Sequence, residues 1–346
     1  MAAGLALPVL AVTAYTLYFP ARGDGAVIWY AKARALFDWV PFKEVPYVNY
    51  PDLGPTAWML VLKWTGPDAE ALGRVILPLG FFAWILALLD LFPRPFPWAA
   101  AIILPVLTLT SLDLDAATNG FQDFFLAAAA GLALVFLLRL LCKSTTDRSR
   151  RDALLLAFFT GSLALIKQEG AVLALMVGAA WLLAAKRKKG LLLAIPLALA
   201  WPLLQIGRGV KVSLQYGGFT IGSVLSAFSA SDRWITIEPH LQDALSSSAP
   251  LLAAFAVLAV YSVIALPDTR RAIVVLSALL VVHTAFVLFV FLATRYPLEW
   301  QLNTAFGRLF GQRQFILITG VAFMLGQIAY AARARSRRVE QIDGSS

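Results

Sequence analysis

Long apolar runs separated by short gaps fill most of this chain, and they leave few folds open. A segment that crosses lipid must satisfy its own backbone hydrogen bonds, and with no edge to spare it does so as a helix. The gaps carry a second pattern. Basic clusters fall at Lys143 to Arg151 (KSTTDRSRR), Lys186 to Lys189 (KRKK), Asp268 to Arg271 (DTRR) and Arg333 to Arg338 (RARSRR). Threading the chain through a bilayer puts all four on one side, the cytoplasmic one by the positive-inside rule. Most of the carboxylates then collect on the other side.

Hydrophobic residues make up 60% of the sequence and charged ones 14%. That balance excludes an ordinary soluble globule. The net charge of +9 sits in juxtamembrane gaps, where it sets orientation and meets anionic lipid, so nucleic acid is not the expected partner. The single Cys142 allows no intrachain disulfide. The apolar runs predict an all-α, polytopic protein of about ten transmembrane helices, near 4–19, 73–92, 97–112, 122–142, 153–166, 170–185, 190–207, 250–266, 272–293 and 313–332. The run at 153–185 reads either as two short crossings, the preferred reading, or as a re-entrant pair. Residues 1–338 form one domain, 339–346 a short cytoplasmic tail, and both termini are cytoplasmic.

Two outer segments are long, 20–72 and 208–249. In the first, Ala26 to Val40 places Val27, Tyr30, Leu36 and Trp39 or Val40 near one helical face and Lys32, Arg34 and Asp38 on the other, a pattern that suits a helix lying in the membrane interface. Pro55 to Trp64 predicts a second such helix, with proline in its first turn.

Five stretches hold candidate chemistry. Asp24, in GDGAVIW, reads either as a helix cap between turn glycines or as a carboxylate able to take a proton from an attacking hydroxyl. Tyr50 and Asp52, in YVNYPDLGP, form a turn that could also reach a polar ligand. Asp113, Asp115 and Asp123 are either solvated or oxygen ligands for a divalent cation. Of these, Asp123 stands at the start of an apolar run, where a carboxylate needs a partner or a wet cavity. Lys167 and Glu169, in KQEG, either pair with each other or meet a phosphate. Arg295, Arg308 and Arg313 oppose the orientation rule, and a bound phosphate or pairing with acids such as Glu299 would explain them. His283 lies inside a span, where an interhelical hydrogen bond is the expected role, and His240 in an outer loop. The sequence holds no GxGxxG, Walker, HExxH or CxxC pattern, which leaves nucleotide cradling and zinc catalysis unsupported.

Taken in order, these stretches resemble the C-type (GT-C) membrane glycosyltransferases, in the branch of dolichyl-phosphate-mannose-dependent enzymes and bacterial enzymes that use polyprenyl-phosphate sugars. GDGAVIWYAKARALF is similar to the family's first-loop acidic motif, NYPDLGP to its Asp-Tyr-Pro-Leu turn, and NGFQDFFLA to a stretch opening a later helix. KQEG is similar to Lys-Asn-Glu-Gly, and EWQLNTAFGRL to a late motif. The resemblance spans about residues 20–330. It implies a GT-C-like fold, inverting sugar transfer on the non-cytoplasmic face of a bacterial inner membrane, and Asp24 as general base. It places Asp123, Lys167, Glu169, Arg295, Arg308, Tyr50 and Asp52 near the donor. The implied partners are a polyprenyl-phosphate sugar, membrane lipid, and a glycan, lipid or protein acceptor. No cofactor is required beyond an optional divalent cation. Gln301 and Gly307 stand where the late motif has His and Asp, and Phe124 or Phe125 replaces a proline. A transporter or flippase of a lipid-linked solute and a non-catalytic relative are the alternative expectations.

Overall fold

A computed structural model describes residues 2–93, 106, 122–142, 146–184, 190–209, 226, 229, 231–294 and 296–343. Among these the chain is helical, with no strand. The elements are α1 (Ala2–Tyr18), a π-helical stretch Gly25–Tyr30 running into α2 (Ala31–Phe37), α3 (Leu53–Thr65), α4 (Glu70–Arg74) and α5 (Ile76–Leu89). After these come α6 (Gln122–Leu141), α7 (Thr146–Ile166), α8 (Gln168–Ala184) and α9 (Leu191–Gly207). The last group is α10 (Ser231–Ser247), α11 (Ala249–Ala265), α12 (Arg270–Ala293), the single turn α13 (Leu298–Gln301), a second π-helical stretch Leu302–Phe306, and α14 (Gly307–Asp343).

The expectation of ten crossings is not met. Among the described residues four helical stretches are long and apolar enough to cross a membrane: Glu70–Leu89, Gln122–Leu141, Pro267–Ala293 and Leu298–Arg337. A fifth arises if α10 and α11, bent by 63° at their junction, count as one span. The apolar runs did become helices, but many are short. Helices α1, α8 and α9 have 17 residues each, about 25 Å at 1.5 Å per residue, against a hydrocarbon core of roughly 30 Å. Helix α7 spends its first two turns on TDRSRRD. The run predicted at 97–112 lies outside the described residues apart from residue 106.

Helix α6 is the hub. Its Ala-rich sequence, AAAAGLAL, lets neighbours approach closely, the usual basis of helix association where lipid removes the hydrophobic drive. A Cβ on Gly131 would lie 2.4 Å from Trp84 Nε1, so only glycine admits the α5 indole, which donates to Thr319 Oγ1 of α14 at 3.1 Å. Asp123 and Arg139 mark the two ends of α6, roughly 24 Å apart. Helix α7 starts beside Arg139, whose Nε bonds Asp152 at 3.1 Å, and ends beside Asp123, bonded by Lys167 at 2.7 Å. Helix α8 returns, and its Leu183 carbonyl accepts from Arg271 at 3.2 Å. Helices α7 and α8 thus run antiparallel along the bundle, α7 from the Arg139 end of α6 to the Asp123 end and α8 back.

These contacts give the bundle two chemically distinct ends. One gathers Arg139, which also pairs with Asp90, together with Asp152, Arg270 and Arg271, and Tyr330 of α14 bonded to the Phe92 carbonyl. The other gathers Asp24, Asp123, Lys167, Glu169 and Arg308.

Two short helices cover the second end, as the outer-loop pattern predicts, but their buried face differs. Trp29, Lys32 and Ala33 are buried, while Val27 is exposed. The cause is the π winding at Gly25–Tyr30, which closes i→i+5 turns and breaks the 3.6-residue period on which the prediction rests.

Candidate active site

Asp24 lies between α1 and the first π-helical stretch. It makes no side-chain capping bond, so the capping reading fails. Its carboxylate turns instead to Arg308, whose Nη1 donates to Asp24 Oδ2 at 2.9 Å. Arg308 is the second residue after the second π-helical stretch. π-turns recur at functional sites because the extra residue re-aims side chains without ending the helix. Here one such turn precedes α2 and the other precedes α14, and the residues beside them meet across 284 positions of sequence.

The same Arg308 Nη1 reaches Asp123 Oδ2 at 3.4 Å. Asp123 Oδ1 accepts from Lys167 Nζ at 2.7 Å and from Gln312 Nε2 at 3.2 Å. Lys167 Nζ lies 3.3 Å from Glu169 Oε1. A continuous ionic chain thus runs Asp24–Arg308–Asp123–Lys167–Glu169. Three carboxylates face two cations, so the chain carries net charge −1. Exposure falls along it: the side chain of Asp24 is 44% accessible, that of Arg308 18% and that of Asp123 5%. Burial of so many charges is costly unless they are paired, and each here is ion-paired. Asp24 is the end that meets solvent.

Beside this chain stands a second cluster. Lys32, fully buried, donates to Asp52 at 2.6 Å, to the Tyr50 carbonyl at 2.5 Å and to the Tyr47 carbonyl at 3.2 Å. The ion pair and the two carbonyl hydrogen bonds clamp the turn Tyr47–Asp52. Arg208 Nη1, at the end of α9, bonds the other oxygen of Asp52 at 3.1 Å. Trp201 packs its ring 5.3 Å from Lys32 Nζ. Burial lowers the Lys32 pKa, and Asp52 opposes the shift without reversing it. Tyr50 connects the clusters. Its ring meets Trp29 edge-on at 5.5 Å, and its hydroxyl is held well above the ordinary phenol pKa by burial first, then by the charges of Glu169 and Asp24. The amide of Gln168 ties the chain of α8 to the same loop through the Asn49 carbonyl, at 3.0 Å.

The structure therefore brings together Asp24, Asp123, Lys167, Glu169 and Arg308, with Tyr50 and Asp52 alongside. Arg295, Asp113 and Asp115 lie outside the described residues. Arg313 goes elsewhere: it is buried, stacks over Phe310 at 3.5 Å and donates to the Ala244 carbonyl at 2.9 Å. His240 Nε2 lies 3.3 Å from Asn303 Oδ1, and His283 is buried within α12. Sequence reasoning missed Lys32, Arg208 and Gln312. Arg208 had a readable signal, since it is a basic residue in an outer segment like Arg308. Gln312 stands one helical turn after Arg308 and so shares its face. Lys32 had none, because its period placed it outward.

Among the described residues no group of three or more His, Cys, Asp or Glu side chains is arranged to hold a metal ion. The carboxylates of the chain are committed to Arg308 and Lys167. No family model, no curated protein and no solved structure matches this chain.

Proposed function

We propose that this chain is an inverting membrane glycosyltransferase that moves a sugar from a polyprenyl-phosphate donor to an acceptor hydroxyl on the non-cytoplasmic face. The observation that carries the reading is the chain of ion pairs itself. Its four inner members are mostly buried and mutually fixed, and its outer end is a carboxylate open to solvent. Such an arrangement suits a proton acceptor that is held in place from behind.

In this reading the acceptor oxygen attacks the anomeric carbon as its proton passes to Asp24, through the carboxylate oxygen that Arg308 does not hold. The bond from the anomeric carbon to the phosphate oxygen breaks, and the phosphate leaves with the electron pair. Protonation of Asp24 cancels the charge that Arg308 had been neutralising. The guanidinium is thereby released toward the leaving phosphate at the moment negative charge develops there. Asp123, held by Lys167 and Gln312, keeps Arg308 anchored during that exchange. Lys167 and Glu169 act through Asp123, and Arg208, paired with Asp52 at 3.1 Å, is a further cation available to an anionic headgroup. The convergence of the charged residues at one end of the bundle favours transfer at a membrane surface over a midplane transport site.

Asp24→Asn tests the reading. Loss of a proton-transfer base costs on the order of 10²–10⁴ in rate, while the amide keeps an oxygen for Arg308. The expected result, in purified protein given a short-chain polyprenyl-phosphate sugar, is near-complete loss of transfer with unchanged melting temperature. Normal turnover by Asp24→Asn would end the assignment.

A further inference from the structure

The first turns of α14 have a second side. Arg308 and Gln312 point from it toward Asp24 and Asp123. Gly307, Gly311 and Gln314, roughly 100° around the helix, line a separate open cavity of ≈ 370 Å³ against α10. That volume falls within the usual range of small-molecule sites, about 300–1,000 Å³. Among the described residues none of its lining side chains belongs to either charged cluster.

The cavity is built. Arg313 donates to the Ala244 carbonyl at 2.9 Å and covers Phe310. Gln314 donates to Ser248 Oγ at 3.3 Å. These bonds hold α10 and α14 apart at a fixed spacing. Phe306 and Phe310 stack on one another, with centroids 5.2 Å apart and planes at 16°, and close the floor. Gly307 and Gly311 lie one turn apart, and an added Cβ on either would meet nothing within 4 Å. The floor there is bare backbone facing space.

The lining chemistry selects the ligand. Among the described residues it contains one carboxylate, Asp243, and no lysine or arginine, so a phosphate or carboxylate finds no cation there to compensate it. An alkyl chain would strip water from Asp243, Ser247 and His240 without replacing the lost hydrogen bonds. A sugar ring matches both halves: its C–H face suits the glycine and phenylalanine floor, and its hydroxyls suit the polar rim. We propose that this cavity is a binding subsite for an uncharged sugar ring. It rests on the transferase reading only for its purpose, which is to hold a glycan unit on the side of α14 turned away from Asp24.

The test uses the full chain in phosphatidylcholine nanodiscs, with methyl glycosides of glucose, mannose and N-acetylglucosamine as probes and saturation-transfer NMR as readout. At least one glycoside is expected to receive saturation in the unaltered protein, with no displacement by inorganic phosphate. Gly311→Leu fills the cavity, and its added atoms have room, so binding should be lost at an unchanged melting temperature. Asp243→Ala, at an exposed position, should weaken binding if the leucine variant fails to fold. Asp24→Asn should bind like the parent. Absence of binding by all three glycosides, displacement by phosphate, or full binding by both folded cavity variants would overturn the subsite. Normal transfer by Asp24→Asn together with loss of binding in Gly311→Leu would remove the transferase reading and leave the subsite standing.

Discussion

Lys167 is the residue whose removal tests the ionic chain most directly. It is buried and lies 2.7 Å from Asp123 and 3.3 Å from Glu169. Replacement by methionine keeps the side-chain length and deletes the charge. The chain then holds three carboxylates against Arg308 alone, net −2 in place of −1. Glu169 loses the cation beside it, and Asp123 keeps only the longer contact to Arg308 and the Gln312 amide. Breaking a buried pair from one side costs about 3–5 kcal/mol, a large part of the 5–15 kcal/mol that holds a typical domain. Lys167→Met should therefore lower the melting temperature in detergent sharply. The double variant Lys167→Met/Glu169→Gln returns the net charge to −1, because Asp24 and Asp123 then share Arg308. It should recover more than half of the loss, a coupling of about 1.5 kcal/mol or more, at the upper end for residues in one network. Thermal unfolding of the parent, both single variants and the double variant completes the cycle. A Lys167→Met protein as stable as the parent, or a double variant no better than the single one, would refute the claim that these charges form one buried network.

Three further outcomes follow from the same geometry. Cys142, one residue beyond the end of α6, has its thiol pushed up to about 11 by burial and by Asp268. Alkylation at pH 8 should be about 100-fold slower than for an ordinary cysteine, because the thiolate is the reacting form, and a rate equal to that of a free thiol would contradict the burial. Lys32 has a lowered pKa in the folded state, so the unfolded chain binds that proton more tightly. Its contribution to stability should rise with pH from the lowered value up to about 10.4, and Lys32→Met should flatten that part of a stability-versus-pH curve. Gly131→Ala would set a methyl 2.4 Å from Trp84 Nε1. Overpacking of this kind costs about 1–3 kcal/mol, read as a lower melting temperature, and Trp84→Phe should relieve part of it.

The candidate site was more legible than the membrane topology. Asp123 stood out because a carboxylate opening an apolar run needs a partner, and Arg308 because it opposed the charge rule. Each anomaly predicts a partner without naming it, and the two turn out to be partners of each other. The capping reading of Asp24 was equally consistent with its flanking glycines, and only the position of α14 excludes it. The count of crossings failed because hydropathy marks where apolar runs lie and says little about whether a 17-residue helix reaches across a bilayer. The face of the first outer helix failed at the π-turn, whose winding no side-chain period announces.

By itself, the sequence determined that this chain is built of apolar helices, and the spacing of its basic clusters predicts which gaps share one side of a membrane. Composition and spacing decide that much, because every residue in lipid contributes its own transfer free energy whatever its neighbours do. Only the tertiary structure decided that Asp24 joins Arg308 and Asp123, that Lys32 and Arg208 grip Asp52, and that Gly307 and Gly311 face open space. Pairing across hundreds of positions depends on how helices pack, and small residues such as Gly131 and Gly161 set that packing through shape, which a pattern of charge and hydropathy does not encode.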